Sequence, residues 1–177
     1  MDTAVKVPLS ERINFRLVIF IGVIALMVGY PVYVMVDQQV SGGIKNAGDG
    51  YKEVNLKAMS TYTFDQDNGT IKDVPEKWRQ LDGQKVILQG EMWQATGAGS
   101  EVQNFDLCYS IAKCCFTGPP QVQHFVKSRA SNNARINYYE GQVEARGVLH
   151  VNVVKDPAAG KVASVYQFDV ESLKPVQ

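Results

Sequence analysis

Apolar and polar positions divide the chain into an unbroken apolar run near the N-terminus and a long region of alternation. The run, residues 17–36, contains no charged residue. As a helix rising about 1.5 Å per residue, it spans about 30 Å, the thickness of a bilayer's hydrocarbon core. Basic residues precede it and Asp37 follows it. Because positive residues stay on the cytoplasmic side, the pattern predicts a cytoplasmic tail at 1–16 and a transmembrane helix at 17–36.

A cleaved signal peptide is the alternative interpretation of this run. Its apolar core usually has about 7–15 residues and is followed by a small-x-small cleavage site. The run here is longer, and residues 40–42 match such a site poorly, so we favour an uncleaved anchor. Gly22, Ala25 and Gly29 share one helical face that would let another membrane helix approach closely, although small residues are common in membrane helices anyway.

The remainder alternates between apolar and polar positions after a short linker. Residues 37–50 are rich in glycine and polar side chains, which is typical of a flexible linker, and residues 51–177 are long enough for one domain. Period-two alternation and a proline at a helix start predict a short helix at 75–79, a turn at 95–100, a packed turn or helix at 136–139, and five strands near 84–92, 105–111, 122–129, 142–154 and 162–170.

Five short strands with an irregular insertion between the third and the fourth favour a mainly β fold. We predict a small antiparallel barrel with the oligonucleotide/oligosaccharide-binding (OB) architecture, which has this strand count. A β-sandwich fits the alternation nearly as well, because strand order cannot be deduced from the pattern.

Charge and motif content exclude several classes of function. The eighteen basic and eighteen acidic residues balance, without a basic block, whereas nucleic-acid binders need a basic face. We find no nucleophile–base pair, no paired carboxylates and no phosphate-binding glycine loop. We therefore do not expect this chain to be an enzyme. His150 is predicted on the outward face of the fourth strand beside Glu144 and Arg146, as a surface residue or salt-bridge partner.

One segment, residues 105–126, contains all three cysteines and one of the two histidines. Cys108, Cys114, Cys115 and His124 are residue types that bind zinc or copper, but adjacent cysteines do not match the usual structural zinc spacing. A disulfide from Cys108 to one of the other two is a second interpretation. A third interpretation is that the cysteines are buried as small apolar side chains. The alternation of the strand disfavours this interpretation for Cys108. The Cys-x-x-Cys motif of thiol–disulfide exchange is absent.

The remaining part of this segment is a rigid loop. Phe116, Gly118, Pro119 and Pro120 follow the cysteines, and rigid loops on a scaffold are common contact surfaces. We therefore predict a binding loop formed by these residues with the cysteines and His124. A loop that merely crosses the end of the barrel is the alternative.

Residues 81–93, 105–126, 141–154 and 164–173 resemble an uncharacterised group of bacterial exported domains. The shared features are an LDG-K-V strand, a CCF-G-PP cysteine loop and a V-x-x-x-G-x-L strand. The resemblance implies an OB-like fold. It also implies an association with ABC-type exporters and zinc-responsive envelope proteins, which favours metal binding by Cys108, Cys114, Cys115 and His124.

These observations together predict a non-catalytic, single-pass protein of the bacterial cytoplasmic (inner) membrane with its β domain in the periplasm. We expect this domain to bind a protein or a small ligand as an accessory subunit of a membrane complex, with a transporter as one such partner. We expect no cofactor. The alternative function is a zinc- or copper-handling domain.

Overall fold

The computed structural model describes residues 15–40, 42–94, 101–116 and 118–176. The side chains of residues 34–40, 115, 116 and 133 are not part of this description. Most of the predicted cytoplasmic tail and the predicted turn at 95–100 therefore lie outside the described residues. The chain divides into two units between residues 41 and 42.

The described residues of the first unit form one helix, α1, from Phe15 to Val40. Its Phe15–Tyr33 segment is long and apolar enough to cross a membrane, and none of it is buried. A core helix of a soluble protein would be covered, so this helix is compatible with a membrane anchor or a signal sequence. A Cβ built at Gly22 or Gly29 meets no described atom within 4 Å. The predicted role of this face with Ala25 in helix packing stays a prediction.

The second unit is mainly β. Its helices are short: α2 (Leu56–Ser60), α3 (Glu76–Arg79) and α4 (Ile111–Phe116). Its described strands are β1 (Ile44–Gly48), β2 (Tyr51–Val54), β3 (Gln84–Trp93), β4 (Glu101–Val102), β5 (Asn104–Cys108), β6 (Phe125–Ala130), β7 (Ile136–Asn137), β8 (Gln142–Lys155) and β9 (Val162–Pro175).

The described strands form a seven-stranded mixed sheet in the order β1-β2-β3-β5-β6-β9-β8, and β4 pairs with β7 in a separate ribbon. The mainly β class is confirmed, but the prediction of a five-stranded antiparallel barrel is wrong for this sheet. Two of its pairings, β2–β3 and β6–β9, are parallel. A further antiparallel pairing joins β3 to β8, so β3, β5, β6, β9 and β8 are connected in a closed ring.

Several local differences from the predicted elements have simple causes. Residues 44–48, assigned to a linker, form β1, whose exposed position at the sheet edge leaves no apolar alternation to detect. The second strand ends at Cys108, because Ile111 already begins α4. The third strand begins at Phe125 rather than at residue 122, after a 3-10 turn. The predicted packed turn at 136–139 contains β7.

The segment between β2 and β3, which contains the short helices α2 and α3, covers part of the core. Leu56, Met59, Trp78 and Leu81 are at most 3% exposed and belong to the same apolar cluster as the inward side chains of the ring. The Asp82 carboxylate accepts a 2.9 Å hydrogen bond from the Val151 amide. The segment 55–83 is therefore fastened to β8 and is part of the domain's core.

Candidate binding groove on the outer face of the strand ring

Strand register places five polar or aromatic side chains in one row across the outside of the ring. Trp93 on β3 is registered with Asp106 on β5, Asp106 with Lys127 on β6, Lys127 with Gln167 on β9, and Gln167 with His150 on β8. Registered partners project from the same side of a sheet. All five line an open groove of about 1000 Å³, which is at the upper end of the usual size of ligand sites.

The charged side chains that the ring strands contribute to the groove are paired with one another. Lys127 Nζ lies 2.8 Å from Asp106 Oδ2, and the Asp106 side chain is only 12% exposed. Asp169, on the next row, lies with its Oδ1 3.2 Å from Arg129 Nη2 of the same row and with its Oδ2 3.3 Å from Nε2 of His150 in the first row. Each side chain is thereby held in place while part of it stays open to solvent.

The β4–β7 ribbon supplies the rim of the groove. Glu101 on β4 is registered with Asn137 on β7, and Glu101 and Arg135 both line the groove. The Tyr138 hydroxyl donates a 3.0 Å hydrogen bond to the Met92 carbonyl oxygen, which attaches the residues after β7 to β3. The described charged groups on the lining are thus three acidic and three basic side chains, with a neutral sum.

A smaller apolar pocket of about 250 Å³ adjoins the groove. Its apolar lining comes from Trp93, Pro120, Val122, Phe125 and Ala163. The Trp93 and Phe125 rings pack with centroids 5.9 Å apart at an interplanar angle of 48°. The pocket shares three residues with the polar groove, namely Trp93 and the Asp106–Lys127 ion pair. The two cavities therefore meet at one wall.

The cysteine segment lies at the end of β5, and its described thiols are buried. Cys108 is 0% exposed and its Sγ donates a 3.6 Å hydrogen bond to the Glu91 carbonyl oxygen. Cys114, in α4, is 5% exposed. The expectation that alternation keeps Cys108 from being buried is wrong, although neither thiol belongs to the main apolar cluster. The Glu91 carboxylate accepts a 2.7 Å hydrogen bond from the Ile111 amide and thus holds the start of α4 over the strand.

The predicted metal ligands are not brought together among the described side chains. No three histidine, cysteine, aspartate or glutamate side chains converge there, and the Cys115 side chain lies outside this description. His124 is half-buried, burial lowers its pKa, and its Nδ1 has no hydrogen-bond partner among the described atoms. Cys108 and Cys114 are not bridged to each other. Zinc or copper binding stays a prediction.

Among the described side chains of the predicted binding loop, Pro120 contributes to the apolar pocket. Gly118, Pro119 and Pro120 are exposed, and Pro120 lines the pocket. The Phe116 side chain lies outside the described side chains. The loop thus borders the pocket without itself forming the groove.

The groove residues other than His150 were missed by the sequence analysis. His150 pairs with Asp169, whereas Glu144 and Arg146, its expected neighbours, pair with each other at 3.0 Å. One usable signal was Trp93, which alternation places on the same outward face as polar Gln89 and Glu91. Aromatic side chains, tryptophan above all, are enriched at contact surfaces.

No protein-family model matches this chain, and the comparison with curated proteins found no match. Among solved structures, the crystal structure of a DUF3299 family protein from Pseudomonas aeruginosa PAO1 is similar over 69% of this chain and 79% of that chain. The two share 16% sequence identity and superpose with a TM-score of 0.42. The function is therefore argued from the residues of this chain.

Proposed function

We propose that this chain is a membrane-anchored binding protein that holds a partner or ligand in the outer groove without chemical conversion. The observation that carries the proposal is the groove itself, a space of about 1000 Å³ lined by aligned side chains from five strands. A cavity of this size is within the range of ligand-binding sites, in which convergent polar groups fix the orientation of the ligand.

The anchor in this proposal is α1, with the β unit on the outer side of a bacterial inner membrane. Support comes from the exposed apolar surface of Phe15–Tyr33, which water solvates poorly, and from the basic residues that precede it in the sequence. An uncleaved helix tethers the β unit to the membrane. This position suits an accessory subunit of a membrane complex.

We also propose that the closed ring within the larger sheet is an OB-like module. Its strand order, β3-β5-β6-β9-β8 and back to β3, contains one parallel pair, β6–β9, among antiparallel ones. OB-folds bind their ligands on the face of their second and third strands. These correspond to β5 and β6, whose outer faces line the groove here.

Binding without chemistry is supported by the state of the charged groups. Asp106 is paired with Lys127, and Asp169 with both Arg129 and His150. General acid–base and nucleophilic catalysis need a base within hydrogen-bond distance of a nucleophile or of the substrate's proton. The described ion pairs instead direct these groups toward one another, an arrangement that suits recognition.

Native mass spectrometry tests the proposal on the full chain, extracted in mild detergent from membranes of cells that express it. We expect a stoichiometric bound component with the wild-type chain. Replacing Lys127 and Arg129 by alanine removes two groove cations and should release this component. The matched control removes two exposed cations outside the groove, at Lys72 and Lys155, and should retain it.

The single variant Arg129→Ala guards against a loss caused by misfolding. The Arg129 side chain is 63% exposed, so its removal should leave the fold intact while weakening the complex. A wild-type chain that carries no bound component, or a component lost equally from groove and control variants, would contradict the proposal.

A further inference from the structure

We infer that the occupant of the groove is an extended polypeptide segment that inserts one large apolar side chain into the apolar pocket lined by Trp93 and Phe125. This inference rests on the proposed function, because it names the class of partner for the same surface. The observations that carry it are the size of the apolar pocket, the balance of charge in the groove, and the wall that the two cavities share.

The size of the apolar pocket fits one side chain rather than a whole ligand. Its volume is about 250 Å³, below the roughly 300–1000 Å³ of typical small-molecule sites. A cavity of about 150 Å³ is enough to hold benzene. The pocket therefore accepts the side chain of a phenylalanine or a leucine. Aromatic and apolar anchors of this kind supply most of the energy of protein interfaces.

The charge of the groove favours a ligand that carries both signs. Its described lining has the acidic residues Glu101, Asp106 and Asp169, together with Lys127, Arg129 and Arg135. A polyanion would meet three carboxylates, and like charges brought together at an interface are repelled. A polypeptide with acidic and basic residues near its anchor can pair with both sets.

The wall that the two cavities share determines where the charged residues of the bound segment must lie. The Asp106–Lys127 pair borders both cavities, so a group leaving the apolar pocket passes directly beside it. In an extended chain each residue advances about 3.3 Å, and the residues next to an inserted side chain reach the ion pair. The expected sequence is thus an apolar residue flanked by a basic and an acidic residue.

The two tryptophans of the chain allow a direct test by fluorine NMR on the full chain labelled with 5-fluorotryptophan. Trp78 is 1% exposed in the core and reports folding, whereas Trp93 lines both cavities. The probe is the blocked peptide acetyl-Lys-Phe-Asp-amide, compared with acetyl-Lys-Ala-Asp-amide. We expect the phenylalanine peptide to shift the Trp93 resonance alone and to bind about tenfold or more tightly than the alanine peptide.

A variant that fills the pocket makes the test specific. Ala163 is exposed and lines the pocket, so Ala163→Leu should abolish the tenfold preference for phenylalanine while the Trp78 resonance stays in place. Ala159→Leu, at an exposed turn outside the pocket lining, should retain the preference.

Other outcomes separate this inference from the proposed function. A Trp93 shift caused by cellotetraose and not by the peptides would overturn the inference, and would leave a groove that binds saccharides. Peptide binding without a preference for phenylalanine, or no peptide response at millimolar concentration, would also overturn it. The proposed function would still stand if the component found by mass spectrometry were lost with Lys127 and Arg129.

Discussion

Two glycines determine how closely the strands of the ring approach one another. A Cβ at Gly147 would lie 2.0 Å from the Asp169 carbonyl oxygen, and one at Gly90 would lie 2.4 Å from the Cys108 carbonyl oxygen. Neither glycine has a positive φ. Glycine is therefore required at both positions because a Cβ would not fit, and not because of the backbone conformation. Gly147 lies at a register shift between β8 and β9, and Gly90 lies where β3 passes from β8 toward β5. Both glycines thus permit the ring to close.

Gly147→Ala should lower the free energy of unfolding by about 2–3 kcal/mol, because overpacking against backbone forces the strands apart. Urea denaturation of the full chain in detergent, followed by tryptophan fluorescence, measures the change. Gly118 is the matched control, since a Cβ there meets nothing within 4 Å, and Gly118→Ala should stay within about 0.5 kcal/mol of wild type. Equal stability of the two variants would contradict this account of ring closure.

At the scale of elements, strands with one buried face were predictable and edge or capping elements were not. The alternation of Val143, Ala145 and Leu149 is matched by the burial pattern of β8, because a half-buried strand must alternate. Strand β1 has no such requirement. Helix α2 places Leu56 and Met59 inward, but five residues are too few for a helical period to stand out from a strand.

The groove was less predictable than the strands because its residues come from different elements. Asp106, Lys127 and Asp169 are ordinary outward-facing charges within each strand's own pattern. They become neighbours only through the register of β5, β6 and β9, which involves a parallel pairing between strands distant in sequence. Pairing of this kind cannot be deduced from alternation, which specifies faces and not partners.

The buried Tyr166 and the half-buried Tyr62 join the segment after α2 to β9. The Tyr166 hydroxyl lies 3.3 Å from the Met59 carbonyl oxygen and 3.1 Å from the Tyr62 hydroxyl. Burial raises the pKa of Tyr62 to about 12. Burial, together with the neighbouring Tyr62, also raises the pKa of Tyr166. Both side chains therefore stay neutral in the folded chain at pH values where free tyrosine ionises.

This arrangement predicts a loss of stability at alkaline pH. Unfolded tyrosines release their protons near pH 10, whereas the folded chain retains them. The contribution is therefore fully present below pH 10 and is lost as the pH rises toward 12. Urea denaturation between pH 8 and 12 should show this decline, and Tyr62→Phe should make it shallower. Tyr139→Phe, at a half-buried position, serves as control; an equal slope in all three proteins would refute the assignment.

On the scale of the whole molecule, the two units differ in the solvent that suits their surfaces. The apolar side chains of Phe15–Tyr33 are exposed, whereas the β unit buries its apolar side chains in a core of its own. The environment that we propose is a bilayer for the helix and water for the β unit. The apolar run was the clearest feature of the sequence, because twenty uncharged residues need no tertiary context to be recognised.

The proposed membrane arrangement predicts that the full chain remains in the membrane pellet after alkaline carbonate washing. Protease added to sealed spheroplasts should remove the β unit and leave a short membrane-protected fragment. A cytoplasmic protein that survives the same treatment verifies that the spheroplasts are sealed. Release of the intact chain by carbonate, or full protection of the β unit, would contradict the arrangement.

If the outer groove is the surface with which this protein binds its partner, photo-crosslinking in living cells should detect that contact. The photoreactive residue p-benzoyl-phenylalanine is placed at position 104, an exposed groove position that leaves the charged side chains of the groove in place, or at position 72, an exposed turn outside the groove. We expect one discrete adduct after irradiation from position 104 and none from position 72. Absence of an adduct at position 104, or the same adducts from both positions, would contradict this proposal.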